Sequence, residues 1–268
     1  MMYFRPLLVA VAIAVCCFLS VSAALAQELE RSRFNIRAGI YFASADTQIR
    51  LDATDGSSGT DIDFEDDLDL DDDETMMLLG ADWRFAQRHR LELEYFRLDR
   101  GGLQTLRGTI DFGDETFPFE TEVSSFFDTE ILRAGYTYSF FMDETKELAL
   151  GIGFHITDLA MGISDDEDSS EFSDVTAPLP VIGIEGGWEF APKWSVYGRL
   201  QLFRLEVGDY DGSIDHLAVR LEHQTFRHIG FGLGYDYFEL DIDIDNSDWR
   251  GFANYQFHGP TLYVKAVF

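Results

Sequence analysis

From Phe34 to the final residue, apolar side chains recur at every second position, and this happens in ten separate segments. Phe34, Ile36, Ala38, Ile40 and Phe42 alternate with Asn35, Arg37, Gly39 and Tyr41; Leu148, Leu150, Ile152, Phe154 and Ile156 alternate with Ala149, Gly151, Gly153 and His155. The same period runs through 77–85, 90–95, 132–140, 182–190, 196–202, 217–222, 229–237 and 262–268. A period of two repeated this often predicts β-strands with one apolar face each. With 46% hydrophobic residues and 24 Phe, the chain has enough apolar surface to exclude a disordered protein.

Alternation alone does not say which face is buried. In a soluble sandwich the apolar faces pack together, whereas in a membrane barrel they meet lipid and the polar faces line the lumen. The connections decide between the two. Those at 87–89, 143–145, 191–193 and 226–228 are short, while those at 52–74, 100–128, 161–175, 208–215 and 239–248 are long. Residues 52–74, 111–128, 161–175, 208–215 and 239–248 hold 32 Asp and Glu and not one Lys or Arg, against a net charge of −29 for the whole chain. Short turns at one end and long loops at the other predict a barrel crossing a membrane. An acid excess of this size also excludes nucleic acid as a partner, since phosphates would be repelled.

The N-terminus reads as an export signal. Arg5 precedes an apolar run from Leu7 to Leu19, and Ala24-Leu25-Ala26 offers small residues for cleavage, so residues 1–26 are expected to be a removed signal peptide. The run is shorter than the ~20 residues of a spanning helix. Cys16 and Cys17 lie inside it, which leaves a mature chain without thiols or disulfides. Residues 27–32 then form a short periplasmic segment ahead of a barrel over 33–268.

The faces opposite the apolar ones carry matched charge. Their cations are Arg37, Arg84, Arg90, Arg133, Arg199, Arg220 and Lys265, and their anions are Asp82, Glu92, Glu94, Glu185, Glu189, Glu222 and Asp236, with His155 the one histidine deep in a strand. Seven against seven is the balance expected of a confined lumen in which charges must pair. Glycines at 39, 80, 135, 151, 153, 183, 187, 230, 232 and 234 fall on the same faces and make room for the long Arg and Glu side chains. Trp83, Phe85, Phe140, Phe141, Trp188, Phe190, Trp194 and Phe226 cluster beside the short turns, as an interfacial girdle would.

Taken together, residues 33–268 resemble a small Gram-negative outer-membrane β-barrel protein. The ending Leu262-Tyr263-Val264-Lys265-Ala266-Val267-Phe268 adds to the likeness. Leu262, Val264, Ala266 and Phe268 resemble the terminal signal read by the outer-membrane assembly machinery. The resemblance implies an all-β, antiparallel, up-and-down transmembrane barrel in the outer membrane, with outer-membrane lipid, lipopolysaccharide and that machinery as partners. About ten strands are expected, within a range of eight to twelve. Pro260 strains the last strand, because a closed barrel has no free edge, and so is expected at a bulge or at the membrane boundary. Splitting 249–258 from 261–268 would give eleven. Residues 102–112 and 117–127 read as a hairpin extending above the membrane.

The chemistry-bearing residues are few. Asp66, Asp67, Asp69, Asp71, Asp72 and Asp73 stand in the densest acidic run and could attract a divalent cation, although no EF-hand spacing is present. Ile62, Phe64, Leu68 and Leu70 interleave with that run, which suggests a strand extension with an acidic edge. No catalytic motif surrounds His155 or the Asp215-His216 pair, so neither an enzyme nor a cofactor is expected. Ten strands lie between the eight that side chains fill and the sixteen that leave a channel. The reading is a surface protein with a plugged, charge-paired lumen. Its competitors are a narrow solute channel and, behind that, an outer-membrane hydrolase acting on lipid A, phospholipid or peptide.

Overall fold

The computed structural model describes residues 33–165, 169–208, 210–245 and 250–268. The expected signal peptide, its two cysteines and the segment 27–32 lie outside the described residues. In chain order the elements are β1 (Phe34–Leu51), β2 (Ile62–Asp63), α1 (Phe64–Leu68), β3 (Asp73–Ala86), β4 (His89–Thr105), β5 (Ile110–Phe112) and β6 (Glu115–Phe117). They continue with β7 (Glu122–Met142), β8 (Lys146–Asp165), β9 (Ser170–Ala191), β10 (Trp194–Val207), β11 (Tyr210–His223), β12 (Ile229–Asp245) and β13 (Arg250–Val267).

Ten of these strands close into one antiparallel barrel, in the order β1-β3-β4-β7-β8-β9-β10-β11-β12-β13 with β13 returning to β1. Closure is long, from Asn35 opposite Val267 to Leu51 opposite Gly251. At the turn end, Phe34 and Phe268 exchange both backbone hydrogen bonds, at 3.1 and 2.9 Å. Register shifts occur beside three of the short turns, at Trp83/Ala86, Ser139/Phe141 and Trp194/Ser195, where a local irregularity helps the wall turn back.

The barrel strands are 14 to 22 residues long, against about 9–11 needed to cross a bilayer. The excess lies at the loop end. Segments read from sequence as long loops are largely strand: 100–105 pairs with 122–127, and 210–215 pairs with 239–244. The expected hairpin over 102–127 is therefore two things. Its base continues β4 and β7, while β5 and β6 form a separate small hairpin folded toward β1, with Gly113 N–H donating to the Leu51 carbonyl at 3.0 Å.

Two expectations are corrected. The acidic run is not one strand extension: Ile62–Asp63 make the short β2 and residues 73–74 open β3, but 64–68 between them form α1. Asp63 caps this helix by accepting the Asp66 N–H at 2.9 Å, and Phe64 and Leu68, four apart on one face, are fully buried. Pro260 marks neither a bulge nor a break between two strands, since β13 is continuous from Arg250 to Val267 and keeps a single register against β1 on both sides of the proline; it stands instead at the loopward edge of the exposed apolar row of Ile40 and Leu262, the boundary position that was the other expectation.

The apolar phase of the strands reverses once along their length. On β8, Leu150, Ile152 and Phe154 face outward and are exposed, whereas Leu159, Met161 and Ile163 face inward and are buried. On β12, Ile229, Phe231, Leu233 and Tyr235 face outward, and Phe238, Leu240, Ile242 and Ile244 face inward. The same reversal occurs on β1 after Phe42, on β4 after Tyr95 and on β13 before Leu262. The turn-end half is thus apolar outside and polar inside, as lipid requires, and the loop-end half is apolar inside, as a water-soluble barrel requires.

Candidate functional site in the lumen

The lumen follows from this reversal and is filled at two levels. In the turn-end half, alternation aims Arg and Glu from β1, β3, β4, β7, β9, β10 and β11 at one another. Glu94 is the hub: Arg199 Nη1 and Arg220 Nη2 each approach it at 2.5 Å, Arg133 Nη1 at 3.2 Å and Arg37 Nη2 at 3.3 Å. Glu92 takes Arg133 and Arg199 at 2.6 and 2.8 Å and Arg90 at 2.6 Å. Glu185 receives Arg90 at 2.5 Å, Arg199 Nε at 2.9 Å and the Tyr197 hydroxyl. The Arg220–Glu94 contact joins β11 to β4 across the barrel, so the network closes the lumen from wall to wall.

The remaining residues of the balanced set lie around this centre. Asp82 pairs with Arg37, and Asp236 lies 3.6 Å from Arg220 and 3.7 Å from His216 Nε2. Toward the turns, Glu222 pairs with Lys265, and Arg84 with Glu147 at 2.8 Å. Glu189 stands apart from the network: its carboxylate accepts the Lys193 backbone N–H at 3.3 Å, at a short turn. Sequence reading missed Glu147, Tyr197 and Gln201, the last of which accepts from Arg133 Nε at 3.0 Å. All three fall on lumen parity, the signal that could have found them. Gly80 gives the room expected of a lumen glycine, since a Cβ there would sit 3.0 Å from Arg37 Nη2.

His155 and His216 lie where the two levels meet. His155 Nε2 is 3.2 Å from Gln201 Oε1, the two imidazoles meet edge to face at 5.5 Å, and both touch the Phe238 ring. Above them the lumen is an apolar core. Phe64 of α1 meets Phe127 at 5.8 Å, Phe127 meets Tyr255 at 5.1 Å, and Phe238 stacks on Phe257 at 4.9 Å. Ile49, Ile62, Leu68, Phe112 and Phe117 continue this cluster to the loop end. One charged pair is set into it: Arg100 binds Glu65 of α1 and the Thr47 hydroxyl, and its guanidinium lies 5.4 Å from the Phe127 ring. Burial pushes the neighbouring Tyr255 phenol up to about 12, against the opposing pull of Arg100.

Asp66, Asp67, Asp69, Asp71, Asp72 and Asp73 lie on and after α1. Asp67 accepts the Asp63 N–H at 3.0 Å, and Asp69 ends the helix with a left-handed backbone. Among the described residues no group of three or more His, Cys, Asp or Glu side chains is placed to hold a metal ion. Leu262, Val264 and Ala266 share the outward face of β13, and Phe268, just past its end, lies against Phe34 at 6.4 Å. Of the expected aromatic girdle, Trp83, Phe85, Phe140, Phe141, Phe190, Trp194 and Phe226 are exposed near the turns.

No known family profile matches the chain, and no curated protein matches it in sequence. Solved structures do. The outer membrane protease OmpT from Escherichia coli superposes with a TM-score of 0.57 at 10% identity, covering 92% of this chain and all of that one. Neisserial surface protein A (TM-score 0.36, 13% identity, 88% of this chain and 98% of that one) is also similar. So is Ail, the attachment invasion locus protein of Yersinia pestis (TM-score 0.35, 12% identity, 85% and 98%). At these identities the similarity is one of fold. That fold, with its apolar outer belt, is a transmembrane β-barrel, the architecture by which proteins cross the bacterial outer membrane.

Proposed function

We propose that this protein is a non-catalytic surface barrel with a sealed lumen, and that its function lies in the water-exposed loop-end wall and loops. The observation that carries this reading is the pair of stacked closures: the Glu94-centred network bridges the barrel, and the α1 core fills the mouth above it. A solute would have to break ion pairs that have no water to replace them, and then displace packed aromatic rings. His155 and His216 are buried at the junction of the two closures, where a macromolecular substrate does not reach. The acidic loop-end surface suits contact with cations, and through bridging cations with the anionic neighbouring lipopolysaccharide layer, and export by a cleaved signal peptide with assembly through the terminal residues fits the same life history.

Single-channel recording in a planar bilayer tests the reading. Folded, inserted protein gives no conductance steps. Stable steps would replace the sealed barrel by the narrow solute channel.

A further inference from the structure

Two prolines open a seam in the barrel wall. Glu189 N–H donates to the Thr145 carbonyl at 2.8 Å, and the β8–β9 register is unbroken from there to Ser170. Odd-numbered residues of β9 therefore direct their backbone groups at β8, and even-numbered ones at β10. Pairing with β10 stops at Ile182 opposite Leu202. In the same register Pro180 would stand opposite Arg204 and Pro178 opposite Glu206, and neither proline has an N–H to donate. Two successive rungs are lost, whereas the single Pro260 interrupts the β1–β13 ladder and pairing resumes at Ser44. Among the described residues, β9 from Ser170 to Val181 pairs with β8 alone, and β10 from Phe203 to Val207 pairs with β11 alone.

The edge so exposed is apolar within and acidic without. Val175, Ala177 and Leu179 of β9 and Phe203 of β10 face the lumen and pack against its apolar core, yet all four are only half-buried. Leu205, the next lumen-facing residue of β10, is 45% exposed. On the outward face the belt ends here at Phe154 and Ile182, and loopward of them Asp158, Asp174 and Glu206 are exposed. The seam thus opens to water above the lipid. The nearby cation, Arg204, is committed to Asp215 at 2.6 Å. Pro178 and Pro180 keep their carbonyls, and Phe172, Asp174 and Thr176 direct both an N–H and a carbonyl at the open side.

We propose that the seam binds an extended polypeptide segment of a partner, with basic and apolar residues at alternate positions, by adding it as a strand to the open edge of β9, antiparallel to it as β10 is. This names a partner class for the loop-end surface and rests on that reading of it. An added strand shares the parity of β9. Its residues opposite Val175, Ala177 and Leu179 turn inward and cover the half-buried apolar side chains. Those opposite Asp174 and Thr176 turn outward, where Lys or Arg meets Asp158, Asp174 and Glu206. A second copy of this chain is a poor occupant, because its net charge of −29 repels the same carboxylates.

The test is titration of the full chain in phosphatidylcholine nanodiscs with a fluorescent peptide of alternating Lys and Val, about seven residues long, read by anisotropy. Binding saturates and exceeds that of empty nanodiscs. In the antiparallel ladder the outward-facing residues of the peptide are the ones bonded to β9, so N-methylation of its Lys amides weakens binding by about ten-fold and N-methylation of its Val amides does not. Thr176→Pro extends the proline series along the edge without touching the β8 ladder, and weakens binding to the same degree in a barrel that still folds. Asp174→Asn weakens it less, by a margin that high salt erases. Binding that survives Lys N-methylation or Thr176→Pro, or a Glu–Val peptide that binds as tightly, would overturn the proposal. Disulfide-linked pairs of Thr176→Cys barrels in micelles would assign the edge to a second copy instead. No binding beyond empty nanodiscs, by a barrel that gives no conductance steps, would overturn the proposal and leave the sealed lumen standing.

Discussion

Glu94 accepts from four guanidinium groups, and its energetic role follows from that number. Each arginine has other acceptors, but Glu94 is shared by Arg37, Arg133, Arg199 and Arg220, so its removal leaves excess positive charge in a buried layer. Glu94→Gln keeps the shape and removes the charge, and is expected to lower stability by about 3–5 kcal/mol in urea titrations of the refolded barrel. Asp99→Asn, which breaks the exposed pair with Arg97, is expected to leave that titration unchanged. A second residue links stability to pH. At the 143–145 turn, burial works against the Asp143 charge, but the N–H groups of Thr145 and Lys146, at 2.8 and 2.7 Å, outweigh it and hold the carboxyl below its ordinary range. A depressed acid stabilises the fold at pH values above its unfolded pKa, and that contribution disappears as pH falls through the folded pKa. Wild type should therefore lose more stability than Asp143→Asn between pH 5 and the acid limit, a difference that denaturation midpoints across that range would measure. The lumen charges were legible because parity names them. Arg100 was not, although it shares parity with Glu92 and Glu94, because it stands in a segment whose acidity and length read as a loop.

At the scale of elements, the short helix is the part that sequence concealed. Ile62, Phe64, Leu68 and Leu70 look like a strand if the eye skips residue 66, yet the Phe64–Leu68 spacing is helical and Asp63 supplies the cap. Tertiary packing makes the difference, since both side chains have an apolar lumen to enter. Phe64→Ala would leave a cavity against Phe127 and is expected to cost about 3–5 kcal/mol. Hydrogen exchange should then show faster exchange in α1 and the 110–117 hairpin, with the turn-end strands unchanged; uniform destabilisation of the whole barrel would contradict a separately packed plug. The ten strands themselves were legible from the period of two, and their loop-end halves were not. The alternation continues there with its phase reversed, so that apolar residues move from even to odd positions on β8 and from odd to even on β12. That reversal marks, in the sequence itself, the level at which the solvent outside changes from lipid to water.

For the whole molecule, one wall serves two solvents and encloses two kinds of interior. The membrane half cannot carry an apolar core, because its apolar residues are committed to lipid, and it fills itself with paired charge. The half beyond the membrane is free to build an apolar core, and does so with help from α1 and the 110–117 hairpin. Both fillings end in a closed lumen, and the acidic excess is left to the exposed loops and the outer wall. Composition and loop asymmetry showed where the charge would collect. They could not show a second core, because the residues that build it are dispersed over nine barrel strands and meet only when the barrel closes. The most direct measurement is thiol accessibility at Thr157, a buried lumen position on β8 between His155 of the lower closure and Leu159 of the upper one. With Cys16 and Cys17 replaced by Ser, a Thr157→Cys barrel in vesicles should resist a membrane-impermeant thiol reagent added on either side, while Ser57→Cys in an exposed loop reacts at once. Rapid modification at position 157 from either side, in protein shown to be folded, would contradict the double closure.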